Sequence, residues 1–215
     1  EEMYTRELEE MPALEKAVKW MTENIIGFDF FGVILPLLIH YALQLSTLFE
    51  ESGGTLRPLK CASGASVKMT KDQVRSILAN AFFCDLTQHS VRFGDIDLLG
   101  IFGCAPERVK CILAYFFKAT RFLGSADVIF ERRVSKGFDF LKNKNTAPKV
   151  NIRTERIEDV TGADGIVDFA NCQLHVGAVH HSYTQEENLF SIFPEALCGL
   201  LFCETMEEDE AIVIR

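Results

Sequence analysis

Ile166-Val167-Asp168-Phe169-Ala170-Asn171, the loop Cys172 to Thr184, and Gln185-Glu186-Glu187 follow one another as a short apolar run, a connection and the opening of a longer apolar stretch. The β-rich composition of 166–170, apolar on both sides of Asp168, predicts an inner strand. Glu186 to Phe202 is apolar and broken by Pro194, which predicts two consecutive helices. Strand, loop and helix N-terminus in that order is a geometry that holds phosphate-bearing ligands, because backbone N–H groups converge there. A plainer explanation stands beside it: adjacent carboxylates favour the positive end of a helix dipole for stability alone.

Outward from this unit, short β-rich runs continue on both sides: Val128-Ile129-Phe130 and Val150 to Ile157 before it, Ala211 to Ile214 after it. Strands interleaved with helices make an α/β unit. Up to about Phe122 the pattern is helical instead. Thr70 and Gln73 match a capping box ahead of Val74, Ile77, Leu78, Ala81 and Phe82. Helices are also predicted over Leu8 to Met21, Val33 to Phe49 and Pro106 to Thr120, and loops at Gly53-Gly54 and Cys61 to Ser66. The change of periodicity near Gly124 divides the chain into a helical region, 1–123, and an α/β region, 124–215. The last strand is apolar, and an exposed apolar edge invites aggregation, so further strands are expected beside it and the chain reads as a fragment or truncated form.

The 215 residues carry a net charge of -9. That balance argues against broad, direct binding to DNA or RNA, which depends on Lys and Arg neutralising phosphates. Seven cysteines (61, 84, 104, 111, 172, 198 and 203) lack paired spacing and read as buried thiols of a reducing compartment. Glu1, Glu2, Glu7, Glu9 and Glu10 are the wrong charge for a secretory signal, so an intracellular location is expected. Phe28 to Phe49 approaches the length of a membrane span, yet Pro36, His40, Gln44 and Ser46 interrupt it; a buried helix is expected, with His40 a hydrogen-bonded core residue. Glu204 to Glu210 reads as a solvated loop.

Taken together, V-D-F-A-N at 167–171, the thirteen-residue loop 172–184 and Q-E-E at 185–187 resemble the signature region of the poly(ADP-ribose) glycohydrolase family. Ile157-Glu158 is similar to an Ile-Glu pair that lines the family's adenine pocket. Leu78-Ala79-Asn80-Ala81-Phe82-Phe83-Cys84 resembles a helical accessory segment, and Arg108 to Thr120 a later helix rich in Phe and Tyr. The resemblance runs in one order over roughly Leu35 to Ile214, which a single short motif does not mimic.

The resemblance implies an α+β or α/β fold: a helical accessory subdomain followed by an incomplete macrodomain-like α/β sandwich, of which 124–215 would be the N-terminal part. It implies hydrolysis of ribose–ribose O-glycosidic bonds in poly(ADP-ribose), releasing ADP-ribose. Glu187 would be the catalytic acid, with Glu186 and Asp168 orienting it or the riboses, and Ile157, Glu158, Asn171, Gly177 and Gln185 binding substrate. No cofactor, metal, membrane or direct DNA contact is expected, and the setting would be the DNA damage response in nucleus or cytoplasm. Glycoside cleavage needs a carboxylic acid to protonate the leaving oxygen, and crowding Glu187 against Glu186 and Asp168 is expected to favour its protonated form.

Two departures accompany the matches. Where the family loop carries three glycines, this chain has His175, Val176 and Gly177, and a Val disfavours the backbone angles and close ligand approach that glycine permits. The family's second phosphate loop and its Tyr and Phe clasp have no counterpart before Arg215. Three readings follow: an active glycohydrolase, a non-catalytic ADP-ribose binder, or a regulatory fragment. A metal site at Cys172, His175, His180 and His181 matches no common zinc spacing, and Cys-His nucleophilic catalysis has no orienting third group.

Overall fold

The computed structural model describes residues 11–86, 93–94, 96–121, 126–135, 137, 149–160, 162–174 and 184–215. His175, Val176, Gly177, His180 and His181 lie outside them, as do residues 1–10 and Gly124.

The first helix, α1 (Pro12–Asn24), starts where Pro is tolerated in a first turn and buries Ala13, Ala17 and Met21, a stripe four residues apart. It packs on α5 (Leu99–Cys104) and α6 (Pro106–Ala119). The apolar stretch 28–49 is not one helix. Asp29 caps a π-helical turn, Phe30–Ile34, by accepting from the Gly32 N–H at 2.8 Å; α2 (Leu35–Leu43) and α3 (Leu45–Leu48) follow. Among the described residues no helix is long and apolar enough to cross a membrane. His40 is exposed and bonds Gln44 at 3.0 Å, so the expected core histidine is a surface one.

At the centre lies α4 (Lys71–Phe82), every residue of which from Val74 to Phe82 is buried. Its capping box is present as expected: Gln73 N–H donates to the Thr70 hydroxyl at 3.2 Å, and Thr70 N–H to Gln73 Oε1 at 2.9 Å. Helix α2 lies along it on one side, and the 3₁₀ segment Pro194–Leu201 on another.

Among the described residues three antiparallel strands form one sheet in the order β1 (Ser66–Met69), β2 (Val128–Val134), β3 (Glu210–Ile214). The register sets Val67 opposite Phe130 and Phe130 opposite Ile214. Along β2, Val128, Phe130 and Arg132 point inward, as period-two alternation requires. Phe130 meets Phe202 edge to face at 5.0 Å, and Gly199 lies so near Phe130 and Leu174 that a Cβ would come within 3.1 Å of both. Arg132 and Glu210 form a fully buried ion pair at 2.6 Å, with Arg132 also bonded to the Leu59 and Glu204 carbonyls. Glu210 therefore belongs to the sheet's interior rather than to a solvated loop. Strand β1 occupies part of the helical half: four residues are too few to show an alternation.

Two predicted strands are absent among the described residues. Val150 to Ile157 and Ile166 to Ala170 have no ladder partner there, and Ile157–Asp159 is a 3₁₀ turn. An inner strand needs a neighbour on each side, and none of the described strands runs beside 166–170. Val167 and Phe169 are accordingly 68% and 81% exposed. Pro194 does divide the final apolar stretch, into α7 (Gln185–Ile192) and the 3₁₀ segment. All seven cysteines are free, but Cys198 and Cys203 alone are buried; Cys104 and Cys172 are exposed, which corrects the uniform expectation.

Candidate active site at the start of α7

Three segments meet at the first turn of α7. Thr184 stands at its N-cap, and the Thr184 N–H and hydroxyl both donate to Glu187 Oε2, the former at 2.7 Å. This is the T-x-x-E pattern of a capping box, legible in the sequence but overshadowed by the Q-E-E reading. Glu186 and Glu187 are both buried, at 6% and 5% exposure. Buried carboxylates are rare unless partnered, so the plain helix-dipole explanation, which needs only exposed acids, does not cover them.

Asp168 approaches from the 166–170 segment. It is half-buried, and its Oδ1 is shielded from solvent with no hydrogen-bond donor among the described residues. Burial raises its carboxyl above the ordinary range, and the charge of Glu187 raises it further. Glu187 goes the other way. Burial alone would raise it, but the Thr184 hydroxyl, the backbone N–H groups of 187 and 184 and the positive charge of Arg108 hold it below its ordinary value. The expectation that crowding favours the protonated form of Glu187 is thus corrected: the capping donors and Arg108 stabilise its ionised form. Arg108, buried on α6, is a contributor that the linear sequence does not mark, since its coupling to Glu187 spans the fold.

Gln185 is half-buried and bonds the backbone of Val167 and Phe169 on either side of Asp168. Asn171 is exposed, its Oδ1 accepting from Cys172 Sγ at 3.2 Å. Ile157 is half-buried in its 3₁₀ turn, where Arg156 and Asp159 pair at 2.8 Å; no described hydrogen bond joins Ile157 to the α7 cluster. A cleft of about 430 Å³ lies elsewhere, lined by Leu56, Pro58, Leu86, Phe93, Leu201 and Phe202 among others, and includes none of the expected site residues. Among the described residues no group of three His, Cys, Asp or Glu is placed to hold a metal.

A helical domain leads into an α+β segment with buried carboxylates at one helix start, and comparison with known families places the chain. Residues 27–132 match the model "Poly (ADP-ribose) glycohydrolase (PARG), helical domain", and residues 139–215 match "Poly (ADP-ribose) glycohydrolase (PARG), Macro domain fold". The chain belongs to the poly(ADP-ribose) glycohydrolase family. It is 26% identical over 223 aligned residues to probable poly(ADP-ribose) glycohydrolase 2 of Arabidopsis thaliana, covering 86% of this chain and 42% of that protein. Poly(ADP-ribose) glycohydrolase 1 of the same plant is 28% identical over 213, covering 86% and 38%, and poly(ADP-ribose) glycohydrolase 1 of Caenorhabditis elegans 38% identical over 73, covering 34% and 9%. The chain spans about two fifths of the length of the plant relatives.

Proposed function

We propose that this chain carries the acid cluster of a glycohydrolase that cleaves ribose–ribose O-glycosidic bonds in poly(ADP-ribose) and releases ADP-ribose. The observation that carries the reading is the burial of Glu186 and Glu187 at the first turn of α7, with Asp168 beside them, inside the segment that matches the family's macro-fold model. Poly(ADP-ribose) or ADP-ribose is the partner, and Glu187 the acid that touches the leaving oxygen. Against its burial, the Thr184 donors hold the Glu187 carboxyl below its ordinary range, whereas burial raises that of Asp168. Substrate entering the first turn displaces the Thr184 bonds, and Glu187 takes up a proton from solvent. Glu187 then gives that proton to the departing ribose oxygen as the ribose–oxygen bond breaks. Water adds to the ribose carbon and releases a proton to solvent, which restores the starting state.

The same reading assigns 1–123 to accessory support and 124–215 to the ligand-bearing fold, with activity in the nucleus or cytoplasm during the DNA damage response. A net charge of -9 supports the absence of direct DNA binding. One observation favours a second reading, an ADP-ribose binder without turnover: the Glu187 carboxylate is already occupied by Thr184. Calorimetric titration of ADP-ribose tests what the two readings share. Saturable one-to-one binding is expected, and an absence of heat at millimolar ligand would overturn both.

A further inference from the structure

We propose that Gln185 is a positioning residue, whose side-chain amide fastens the backbone of Val167 and Phe169 to the first turn of α7 and so sets Asp168 against Glu187. The inference rests on the reading of the acid cluster given above. Gln185 Oε1 accepts from the Phe169 N–H at 2.9 Å, and its Nε2 donates to the Val167 carbonyl at 3.0 Å. An N–H and a carbonyl two residues apart on one edge of an extended segment are the pair that a neighbouring strand would bond. One side chain thus makes the pair of bonds that a strand would make. Alternation follows from that pairing: Val167 and Phe169 face solvent at 68% and 81% exposure, while Asp168 Oδ1 is buried on the opposite face.

Among the described residues no backbone–backbone hydrogen bond reaches 166–171, and the next anchor is the Cys172 carbonyl, which accepts from Met206 N–H at 2.7 Å. Among the described residues the two Gln185 bonds are therefore the hydrogen bonds that hold the backbone on both sides of Asp168. A Glu at this position would lack the donor for the Val167 carbonyl and would add a third charge beside Glu186 and Glu187; an Asn would fall one methylene short.

Amide hydrogen exchange on the ¹⁵N-labelled chain, joined to a carboxyl ¹³C titration of Asp168, tests this. The Phe169 amide should be protected about tenfold or more despite its exposed side chain, the protection expected of one maintained hydrogen bond. Gln185→Ala should abolish that protection while Leu189 in the body of α7 stays protected, and should return the Asp168 titration toward its ordinary 3.8. Gln185→Glu, which keeps the acceptor, should retain protection at Phe169, and it decides the matter if the Ala variant loses Leu189 protection as well. Free exchange at Phe169 in the unmutated chain, or an unchanged Asp168 titration in Gln185→Ala, would overturn the proposal. ADP-ribose titrations separate the two inferences: absence of binding in the unmutated chain counts against the proposed function and leaves the exchange result standing. Given binding, Gln185→Ala should weaken it about tenfold, and unchanged affinity would remove the positioning role.

Discussion

Helices α4 and α7 open on the same device, a Thr whose N–H donates to the side chain three residues on, yet the two first turns differ in what hangs on them. In α4 the partner is the neutral Gln73, and the helix behind it is buried from Val74 to Phe82. In α7 the partner is the buried Glu187, flanked by a segment with no ladder among the described residues. One local code therefore serves stability in the first helix and fixes the ionisation of a carboxylate in the second. A capping box says where a helix starts; a carboxylate at its third position also ties that start to pH.

The largest effect expected from this contrast is in the body of α4. Leu78 is 1% exposed, so Leu78→Ala should lower unfolding stability by about 2–5 kcal/mol, measured by chemical denaturation. Removing the caps comes next. Thr70→Ala and Thr184→Ala should each cost about 1 kcal/mol near neutral pH.

Acidification should then separate those two variants. A carboxylate whose folded pKa is depressed contributes stability that is present above its unfolded value and lost as pH falls through the folded one. For Glu187 the window opens below its ordinary 4.5. Asp168, raised above 3.8, acts oppositely: its contribution is complete below 3.8 and lost as pH rises through the folded value. Without the Thr184 hydroxyl, Glu187 returns toward 4.5, and the fall in stability between pH 4.5 and lower values should become shallower in Thr184→Ala. Thr70→Ala, whose partner carries no charge, should run parallel to the unmutated chain across the same titration. Parallel curves for both variants would break the comparison. The smallest effect belongs to Phe169→Ala, which should stay within about 0.5 kcal/mol because the ring is 81% exposed.

What the sequence made legible follows the same division. The Thr70 box, the Pro106 helix start, β2, β3 and the break at Pro194 rest on signals within a few residues of one another, and each is present. Helix α5 and strand β1 are too short to carry a period, and they take their places from the partners they pack on. At 166–170, composition alone promised an inner strand, but strand formation needs a neighbour that composition does not supply. The Q-E-E cluster was legible by resemblance, whereas Arg108's pull on Glu187 and the buried Arg132–Glu210 pair join residues distant in the chain.

A digestion assay of poly(ADP-ribose) comparing the unmutated chain with Glu187→Gln tests whether Glu187 is the working acid of the site. The amide keeps the shape and still accepts from Thr184, but it has no proton of a carboxylic acid to give. The unmutated chain should release ADP-ribose, and the variant should lose about 10²–10⁴-fold in rate with ADP-ribose affinity nearly unchanged. Equal rates for the two proteins would contradict it.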